Sequence, residues 1–445
     1  MSTMQKIPQV SRLMFIKSAR AILKNPLPFH KKNFKLKGNT FRLKLGISES
    51  VVFSKDPLFA QYVLQKNQKN YKKSPIQTKD LAKYLGQGLL TSNGTHWAKQ
   101  RKLIQPAFHK KQLATLIDKI EQAVITEIEK IEVNKPFDIF PIFNDLAFQT
   151  VVKALFSSAV DQKSIKRLQY ITEAAQEMMV RELRQPYLIW WFKLSGQLNS
   201  TLKLTQEARQ ILKDLVKERQ NQNKRQDDLL DMLLDARYDD GSAMAEEQLI
   251  DEILILFTAG HETTSNALTF TAELLARHPE VQDKLYAEIS ELDNENDLLL
   301  KIKSLQYVEQ VVNESMRLYP PAYFIDRVSI AADSFSGYEI AQNTSLLFSI
   351  YEIHRDTNFW KDPNNFNPDR FIEDTSIKYS PYYYPFGAGP RMCIGNNFAM
   401  YEMILAVAEL VKRFKIEFKA SPIEINPLIT LKPKDAILQF TKREN

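Results

Sequence analysis

The sequence predicts a mainly α-helical protein with a small β region. From about residue 95 to residue 290, apolar residues recur with the period of a helix and glycines are few. Shorter alternating segments, which are typical of strands, occur near both ends of the chain. No repeat, low-complexity tract or interdomain linker interrupts the pattern, so we expect one domain over 1–445 with a basic N-terminal arm over 1–35.

The predicted elements begin with a hairpin over residues 40–54. Its first strand alternates apolar Phe41, Leu43 and Leu45 with basic residues, and a second apolar run follows Gly46. Asp56 is then expected to cap a helix that continues to about Lys66.

One helix is predicted to be unusually long, from Ala245 to Arg277. His278–Pro279 ends it, because the residue before a proline disfavours helical geometry. Its length at 1.5 Å per residue gives a rod of roughly 50 Å. The middle, 253–259, is apolar on every side, which predicts burial through the centre of the domain.

The C-terminal third is predicted to mix strands, loops and one helix. Short strands are expected over 330–350. After Asp356 the chain is rich in Asx-Pro and Ser-Pro pairs, which indicate loops. A last helix should follow Cys393 to about Phe414, and further strands should close the chain.

Composition excludes several classes of protein. With 44% hydrophobic and 25% charged residues, the chain can bury a core and is not intrinsically disordered. One cysteine rules out an internal disulfide framework and a zinc site with paired cysteines. The longest apolar runs, Ile253–Phe257 and Leu188–Phe192, fall short of the ~20 residues that a bilayer span needs. We therefore expect a cytoplasmic protein. We also expect it to be a monomer.

The positive charge is concentrated at the N-terminus. Residues 1–55 hold twelve Lys and Arg and a single acid, Glu49, whereas the remainder of the chain is net negative. Three interpretations are open: a solubilising, partly frayed tail, contact with an anionic lipid surface, or binding to nucleic acid. Nucleic acid is disfavoured because no DNA- or RNA-binding motif accompanies the charge.

The chemically most distinctive segment is the loop around Cys393. Glycines bound the loop, Arg391 precedes the cysteine by two residues, and an apolar helix follows. Helix N-terminal amides stabilise a thiolate, and glycine lets backbone amides approach it closely. The residues alone leave three readings: a nucleophilic thiol, a thiolate ligand for iron, or an inert buried cysteine.

The loop resembles the haem-binding segment of cytochromes P-450, Phe-x-x-Gly-x-Arg-x-Cys-x-Gly. Every fixed position is filled in this sequence, by Phe386, Gly389, Arg391, Cys393 and Gly395. The resemblance implies the cytochrome P-450 fold, with its long central helix across haem b (iron protoporphyrin IX). It makes Cys393 the axial thiolate, with Phe386 packed near the haem, Arg391 on a propionate and Gly395 in the cofactor-binding loop.

The long helix carries Ala259-Gly260-His261-Glu262-Thr263-Thr264. From the residues alone this is either a helix-packing notch or a place where Gly260 makes room for a small ligand. The segment is similar to the family's oxygen-activation motif. That resemblance implies that Thr263 positions the reacting oxygen and its water, and that Glu262 relays protons from solvent.

Two further groups match family landmarks. Glu314 and Arg317 lie at i and i+3, on one helix face. The resemblance implies that they form a buried structural triad with Arg370, which lies within Phe-Asn-Pro-Asp-Arg-Phe. Asp369 stands where glutamate is more usual. Positions that bind haem propionates in the family are occupied here by Trp97, Arg101 and Arg327. Without the resemblance, these residues would be interpreted as a core tryptophan and surface arginines.

The resemblance covers nearly the whole chain, and it favours the fatty-acid-hydroxylating and microsomal-type branch. It implies a monooxygenase that inserts one oxygen atom from O2 into a C–H bond of a lipophilic substrate, with a fatty acid as first choice and a terpenoid or carotenoid as second. The implied substrate-binding residues are Leu90, Ala259, Ala322, Tyr323 and Phe324.

Electrons would come from an acidic ferredoxin or flavodoxin with its reductase, docked by the basic residues of segment 96–119. The segment 185–192, which contains Trp190 and Trp191, is expected to be a mobile cover, with peripheral membrane contact as one hypothesis. Two alternatives remain: a peroxide-driven haem-thiolate peroxygenase and a non-enzymatic haem sensor.

Overall fold

The computed structural model describes residues 6–44, 50–157, 160–222, 225–292, 295–418 and 422–443. The α-helices, in chain order, are α1 (Arg12–Lys24), α2 (Leu27–Lys37), α3 (Pro57–Gln61), α4 (Ala82–Leu85), α5 (Gly94–Ile104), α6 (Lys110–Leu113), α7 (Ile117–Ile128), α8 (Phe140–Phe156), α9 (Gln162–Arg184), α10 (Ile189–Leu194), α11 (Gln197–Gln222), α12 (Leu229–Asp235), α13 (Glu246–Arg277), α14 (Pro279–Glu291), α15 (Leu298–Ser304), α16 (Gln306–Leu318), α17 (Ile350–Ile353), α18 (Arg370–Glu373) and α19 (Asn396–Arg413).

The strands are short and lie toward the two ends of the chain. They are β1 (Gln9–Val10), β2 (Thr40–Lys44), β3 (Ser50–Ser54), β4 (Tyr71–Lys72), β5 (Pro136–Asp138), β6 (Phe324–Ser329), β7 (Asp333–Phe335), β8 (Tyr338–Ile340), β9 (Ser345–Ser349), β10 (Phe414–Phe418), β11 (Glu424–Pro427), β12 (Leu431–Lys434) and β13 (Ile437–Lys442).

The chain folds into two compact units. The first, called the sheet unit, comprises Met1–Ser74, Glu309–Cys393 and Pro422–Lys434. Its main sheet has the order β1-β2-β3-β9-β6-β4, with β1–β2 and β3–β9 parallel and the other pairs antiparallel. In the β2–β3 pair Phe41 lies opposite Phe53 with stacked rings, so the predicted hairpin is present. Its turn, including Gly46, lies outside the described residues.

The second, called the helical unit, comprises Pro75–Val308, Ile394–Ser421 and Asp435–Asn445. The 32-residue helix α13 packs against α8 and α19, and α7 packs against both of those helices. A small antiparallel sheet, β10-β13-β5, completes the unit. Among the described residues, no helix is both long enough and apolar enough to cross a bilayer.

Most boundaries of the helices agree with those predicted from the sequence. The long helix starts after Ala245 and ends before His278, and α19 runs from Asn396 to Arg413. The Asp56 carboxylate caps α3 by accepting the N–H groups of Leu58 and Phe59. The helix then continues as a π-helical turn over Tyr62–Lys66. The single-domain organisation stays a prediction.

Two regions of the chain differ from the expectation. Residues 12–24 and 27–37 are helices, where a solubilising, partly frayed tail was one of the interpretations. The strand β5 was not predicted, because it is three residues long and gains its hydrogen bonds from β13, about 300 residues later in the chain. Local periodicity carries no information about such a distant partner.

Candidate functional site

The cysteine loop lies at the end of the sheet unit's second segment and is closed by backbone hydrogen bonds. The N–H of Cys393 donates to the Phe386 carbonyl at 2.9 Å, and the N–H of Gly387 donates to Tyr384 at 3.2 Å. The Cys393 side chain is exposed and Phe386 is half-buried. The loop therefore presents its sulfur at an accessible surface instead of burying it as an inert thiol.

A glycine without space for a side chain anchors this loop. A Cβ at Gly389 would lie 2.0 Å from the carbonyl oxygen of Leu64, and the residue has a φ of +70°. Both features exclude a larger residue, since atoms cannot approach so closely and L-residues rarely adopt that φ. Gly389 thus lets the loop pack directly on the π-helical turn of the sheet unit.

Two arginines of the sheet unit form a region of concentrated positive charge. Arg391 donates from Nη1 to the Tyr71 carbonyl at 2.8 Å, and Arg327 donates from Nη1 to the Asp326 carbonyl at 2.7 Å. Burial, and then the charge of Arg391, lower the pKa of Arg327 to about 10. Two guanidinium groups that repel each other would be stabilised by a bound carboxylate.

These observations fit haem b. The exposed thiol of Cys393 can provide a thiolate to iron, and the guanidinium groups of Arg327 and Arg391 can bind propionate carboxylates. The backbone of the loop, held by Gly389, leaves the sulfur accessible.

Glu314, Arg317 and Arg370 are brought together within the sheet unit. Arg317 donates from Nε and Nη2 to the two oxygens of Glu314 at 2.7 and 2.8 Å, and Arg370 Nε donates to Glu314 Oε1 at 3.0 Å. Glu314 and Arg317 have no exposed surface. The remaining donors of Arg317 bind the carbonyls of His354, Pro363 and Asn365, so Arg317 ties two chain segments, one at His354 and one at 363–365, to its own helix.

Sequence reasoning missed His354, which extends this network. Its Nε2 accepts the Tyr384 N–H at 2.8 Å and its Nδ1 lies 3.2 Å from the Arg317 carbonyl. The spacing of apolar residues could have indicated that His354 is buried. His354 follows the buried Ile350 by four residues, which is one helical turn, and comes directly after the buried Ile353.

The long helix α13 carries the second motif in the helical unit. Although its flanks are buried, Ala259 is exposed and Glu262 and Thr263 are half-buried, so one face of the helix is accessible there. The Thr263 hydroxyl donates to the Ala259 carbonyl at 2.7 Å. The prediction of burial on every side across 253–259 is therefore wrong at Ala259.

Gly260 serves as a helix-packing notch. A Cβ there would lie 3.0 Å from Cγ2 of Val151 on α8, so close helix contact occupies the space that Gly260 frees. The neighbouring His261 is buried, and its Nε2 lies 2.7 Å from Asn144 Oδ1 on the same helix α8. Of the two interpretations weighed for Gly260, this contact supports the packing notch, and room for a small ligand stays a prediction.

The other predicted propionate ligands lie on α5 of the helical unit. Trp97 and Arg101 are both half-buried and one turn apart. The Nε of Arg101 donates to Gln105 Oε1 at 3.2 Å, which places this side chain along its own helix.

The predicted substrate-binding residues fall into two groups. Leu90 and Ala259 are in the helical unit, half-buried and exposed respectively. Ala322 is exposed in the sheet unit, and Phe324 there packs edge-on to His30 with ring centres 5.1 Å apart. Tyr323 is buried, and its hydroxyl donates to the Leu428 carbonyl at 2.7 Å, so its polar end already has a protein partner.

A loop that precedes Leu90 is held to α13 by two carboxylates. The N–H of Gln87 donates to Asp251 Oδ2 at 2.6 Å, and the N–H of Leu89 donates to Glu252 Oε2 at 2.9 Å. These acids were not singled out in the sequence. They orient the backbone immediately before a predicted substrate contact.

Comparison with known proteins agrees with the motifs. The family model described as Cytochrome P450 matches residues 7–440. Protein LUTEIN DEFICIENT 5, chloroplastic, of Arabidopsis thaliana is 30% identical over 91% of this chain and 72% of its own length. Cyclooctat-9-en-7-ol 5-monooxygenase of Streptomyces melanosporofaciens is 28% identical over 85% of this chain and 83% of its own.

A solved structure shows the same fold. Cyanobacterial CYP120A1 with retinoic acid bound superposes with a TM-score of 0.83, at 24% identity, over 99% of this chain and 100% of its own. The family model spans nearly the whole sequence, and the loop ending at Cys393 carries the thiol that the family's cofactor requires. The chain therefore belongs to the cytochrome P-450 family of monooxygenases, with haem b as its cofactor.

Proposed function

We propose that this monooxygenase inserts one oxygen atom from O2 into a C–H bond of a long-chain lipophilic substrate, with a fatty acid as first choice. The observation that carries the chemistry is the exposed Cys393 thiol in a loop tied down by Gly389 and closed by backbone hydrogen bonds. When bound, thiolate-ligated haem supplies the activation of O2 that this insertion requires.

The chain's own residues are assigned three tasks. Cys393 ligates the iron, and Arg391, Arg327, Trp97 and Arg101 bind the propionates, with Phe386 and Gly395 completing the cofactor-binding loop. The mutual repulsion of Arg327 and Arg391 supports the anion-binding role. Thr263 and Glu262 hold and deliver protons, which their accessible positions on an otherwise buried helix support. Glu314, Arg317 and Arg370 stabilise the fold of the sheet unit.

The lipophilic substrate is supported by residue chemistry and by the relatives. Leu90, Ala259, Ala322, Tyr323 and Phe324 are mostly apolar. Retinoic acid, the ligand of CYP120A1, is a carboxylic acid with a long apolar chain, and one Streptomyces relative is named as acting on cyclooctat-9-en-7-ol. A terpenoid or carotenoid is therefore the second choice.

The haem chemistry is tested by the absorption spectrum of the reduced protein with CO. We expect the band characteristic of thiolate-ligated haem in the wild type and its loss in Cys393→Ser. Retention of the band in that variant would refute the assignment of the ligand. Titration of the oxidised protein with long-chain fatty acids should produce a haem spin-state shift, and terpenoid alcohols and carotenoids form the comparison series.

Single electrons are proposed to come from an acidic ferredoxin or flavodoxin with its reductase. Lys99, Lys110 and Lys111 are exposed, which supports a basic docking face. The face is smaller than the sequence indicates: Lys102 pairs with Asp239 at 2.7 Å, and Lys119 donates to the Gln226 carbonyl at 2.8 Å.

The docking proposal is tested by measuring the rate of reduction at increasing ionic strength. Charge-steered association should slow as salt rises, and Lys110→Gln/Lys111→Gln should reduce both the rate and its salt dependence. A rate independent of salt would refute electrostatic docking. We also infer peripheral contact with a membrane surface, which the basic first helix supports.

A further inference from the structure

The first helix of the chain, α1, is formed and capped. The N–H of Met14 donates to Ser11 Oγ at 3.3 Å at its start, and the N–H of Asn25 donates to the Ala21 carbonyl at 2.8 Å at its end. The preceding strand β1 pairs with β2 of the main sheet. The segment is therefore a fixed part of the sheet unit.

One face of α1 packs against the interior of the sheet unit. Met14, Phe15 and Ile22 pack against a buried cluster that includes Phe29 and Phe34 of α2. Ile22 follows Met14 and Phe15 by eight and seven residues, about two helical turns, so the three side chains lie on one side of the helix. Their packing determines which side chains point outward.

The opposite face combines apolar and basic side chains. Leu13 and Ile16 are 63% and 69% exposed, and Leu23 is 38% exposed. Lys17 and Arg20 are exposed beside them. Large apolar side chains left in water next to cations are typical of helices that lie in a membrane interface.

The segment that contains this face carries charge of one sign. Residues 6–44 contain eleven Lys and Arg and no Asp or Glu. Glu352, which interacts electrostatically with Lys31 of α2, is buried, and burial raises its pKa. The first turn of α1 has no acid and starts with Arg12, an arrangement that opposes the helix dipole. Local helix stability does not account for this pattern.

We propose that the outward face of α1 binds the surface of an anionic lipid bilayer, with Leu13 and Ile16 inserted among the headgroups and Lys17 and Arg20 against the phosphates. This deepens the membrane contact inferred above by naming the lipid charge and the contacting residues. A bilayer offers both an apolar layer and anionic groups, whereas a nucleic acid leaves the two apolar side chains without a partner.

The test is co-sedimentation of the haem-loaded protein with vesicles of phosphatidylcholine alone or mixed with phosphatidylglycerol. We expect binding only to the anionic vesicles, with affinity falling as salt rises. Lys17→Gln/Arg20→Gln should weaken the partition coefficient about thirty-fold. Leu13→Ser/Ile16→Ser should weaken it about tenfold.

Matched controls separate this face from general surface properties. Leu58→Ser/Ile372→Ser removes two apolar side chains that are each 53% exposed elsewhere in the sheet unit. Lys163→Gln/Lys166→Gln removes the same charge from exposed positions of α9 in the helical unit. Both control variants should bind anionic vesicles like the wild type, and every variant should keep its reduced-CO spectrum.

Three results would overturn the proposal: no binding of the wild type to anionic vesicles, equal binding by the α1 variants, or tighter binding to duplex DNA that Leu13→Ser/Ile16→Ser retains. The last result would assign the surface to nucleic acid. Vesicle binding without the thiolate-haem spectrum would refute the proposed haem chemistry and leave the lipid surface standing, so the two failures are distinguishable.

Discussion

The side chain of His354 accepts the backbone N–H of Tyr384 at 2.8 Å. Its other ring nitrogen lies 3.2 Å from the Arg317 carbonyl, so the neutral ring donates from Nδ1 and accepts at Nε2. Burial, and then the charge of Arg317, lower the pKa of His354 to about 3, which keeps the ring neutral. A buried imidazole thus joins the helix of the structural triad to the chain that leads into the cysteine loop.

Replacing His354 with alanine should destabilise the protein by about 3 kcal/mol, because a buried N–H and a buried carbonyl lose their partners. The measurement is the free energy of unfolding from denaturant titration, together with the haem content. The exposed His109, replaced by alanine, is the control and should change stability by less than about 0.5 kcal/mol. Equal stability of the two variants would contradict the bridging role.

Stability should fall as the pH drops below the usual histidine range. His30 is packed between the rings of Phe53 and Phe324, and burial lowers its pKa to about 3. The unfolded chain takes up this proton below about pH 6.5, whereas the folded chain does not until about pH 3. Each such histidine therefore costs about 2 kcal/mol of stability between pH 7 and pH 5.

The variant His30→Phe tests this linkage by removing one titrating group. Its free energy of unfolding should decline about 2 kcal/mol less than that of the wild type between pH 7 and pH 5. Denaturant titrations at both pH values give the comparison. Parallel declines in the two proteins would show that His30 takes up its proton while folded.

Thr263→Ala should reduce the yield of product per electron consumed about tenfold or more, since proton delivery loses its hydroxyl. The measurement is product formed against reductant consumed. Thr271 is a matched control on the same helix, because its hydroxyl also donates to the carbonyl four residues earlier at 2.7 Å. Thr271→Ala should remain coupled, and equal uncoupling in both variants would point to a general change in α13.

Gly389→Ala should lose haem, because its Cβ would overlap the Leu64 carbonyl oxygen in addition to forcing an unfavourable φ. Gly387 is the control in the same loop, with a φ of +73° but its nearest neighbour at 3.7 Å. Gly387→Ala should cost only the conformational strain, about 1–2 kcal/mol. Haem content after purification separates the two, and full occupancy in Gly389→Ala would contradict the close contact.

Features that depend on neighbours within a few turns follow from the amino-acid sequence alone. The boundaries of α13 and α19, the cap at Asp56 and the spacing of the cysteine loop are of this kind. So is the pairing of Glu314 with Arg317 three residues later, because helical geometry places positions i and i+3 on one face. Periodicity and capping are local properties, so they can be recognised in the sequence without knowledge of the tertiary structure.

Contacts between groups that are distant in the chain depend on tertiary packing. Arg370 reaches Glu314 across 56 residues, His354 reaches Arg317 and Tyr384 across 37 and 30, and Val151 fills the notch at Gly260. The same holds for Lys102, which belongs to the basic segment predicted to dock a partner and which pairs with Asp239 in the structure. Such pairings depend on how helices and loops pack, and no local period records the identity of a partner that folding brings from elsewhere in the chain.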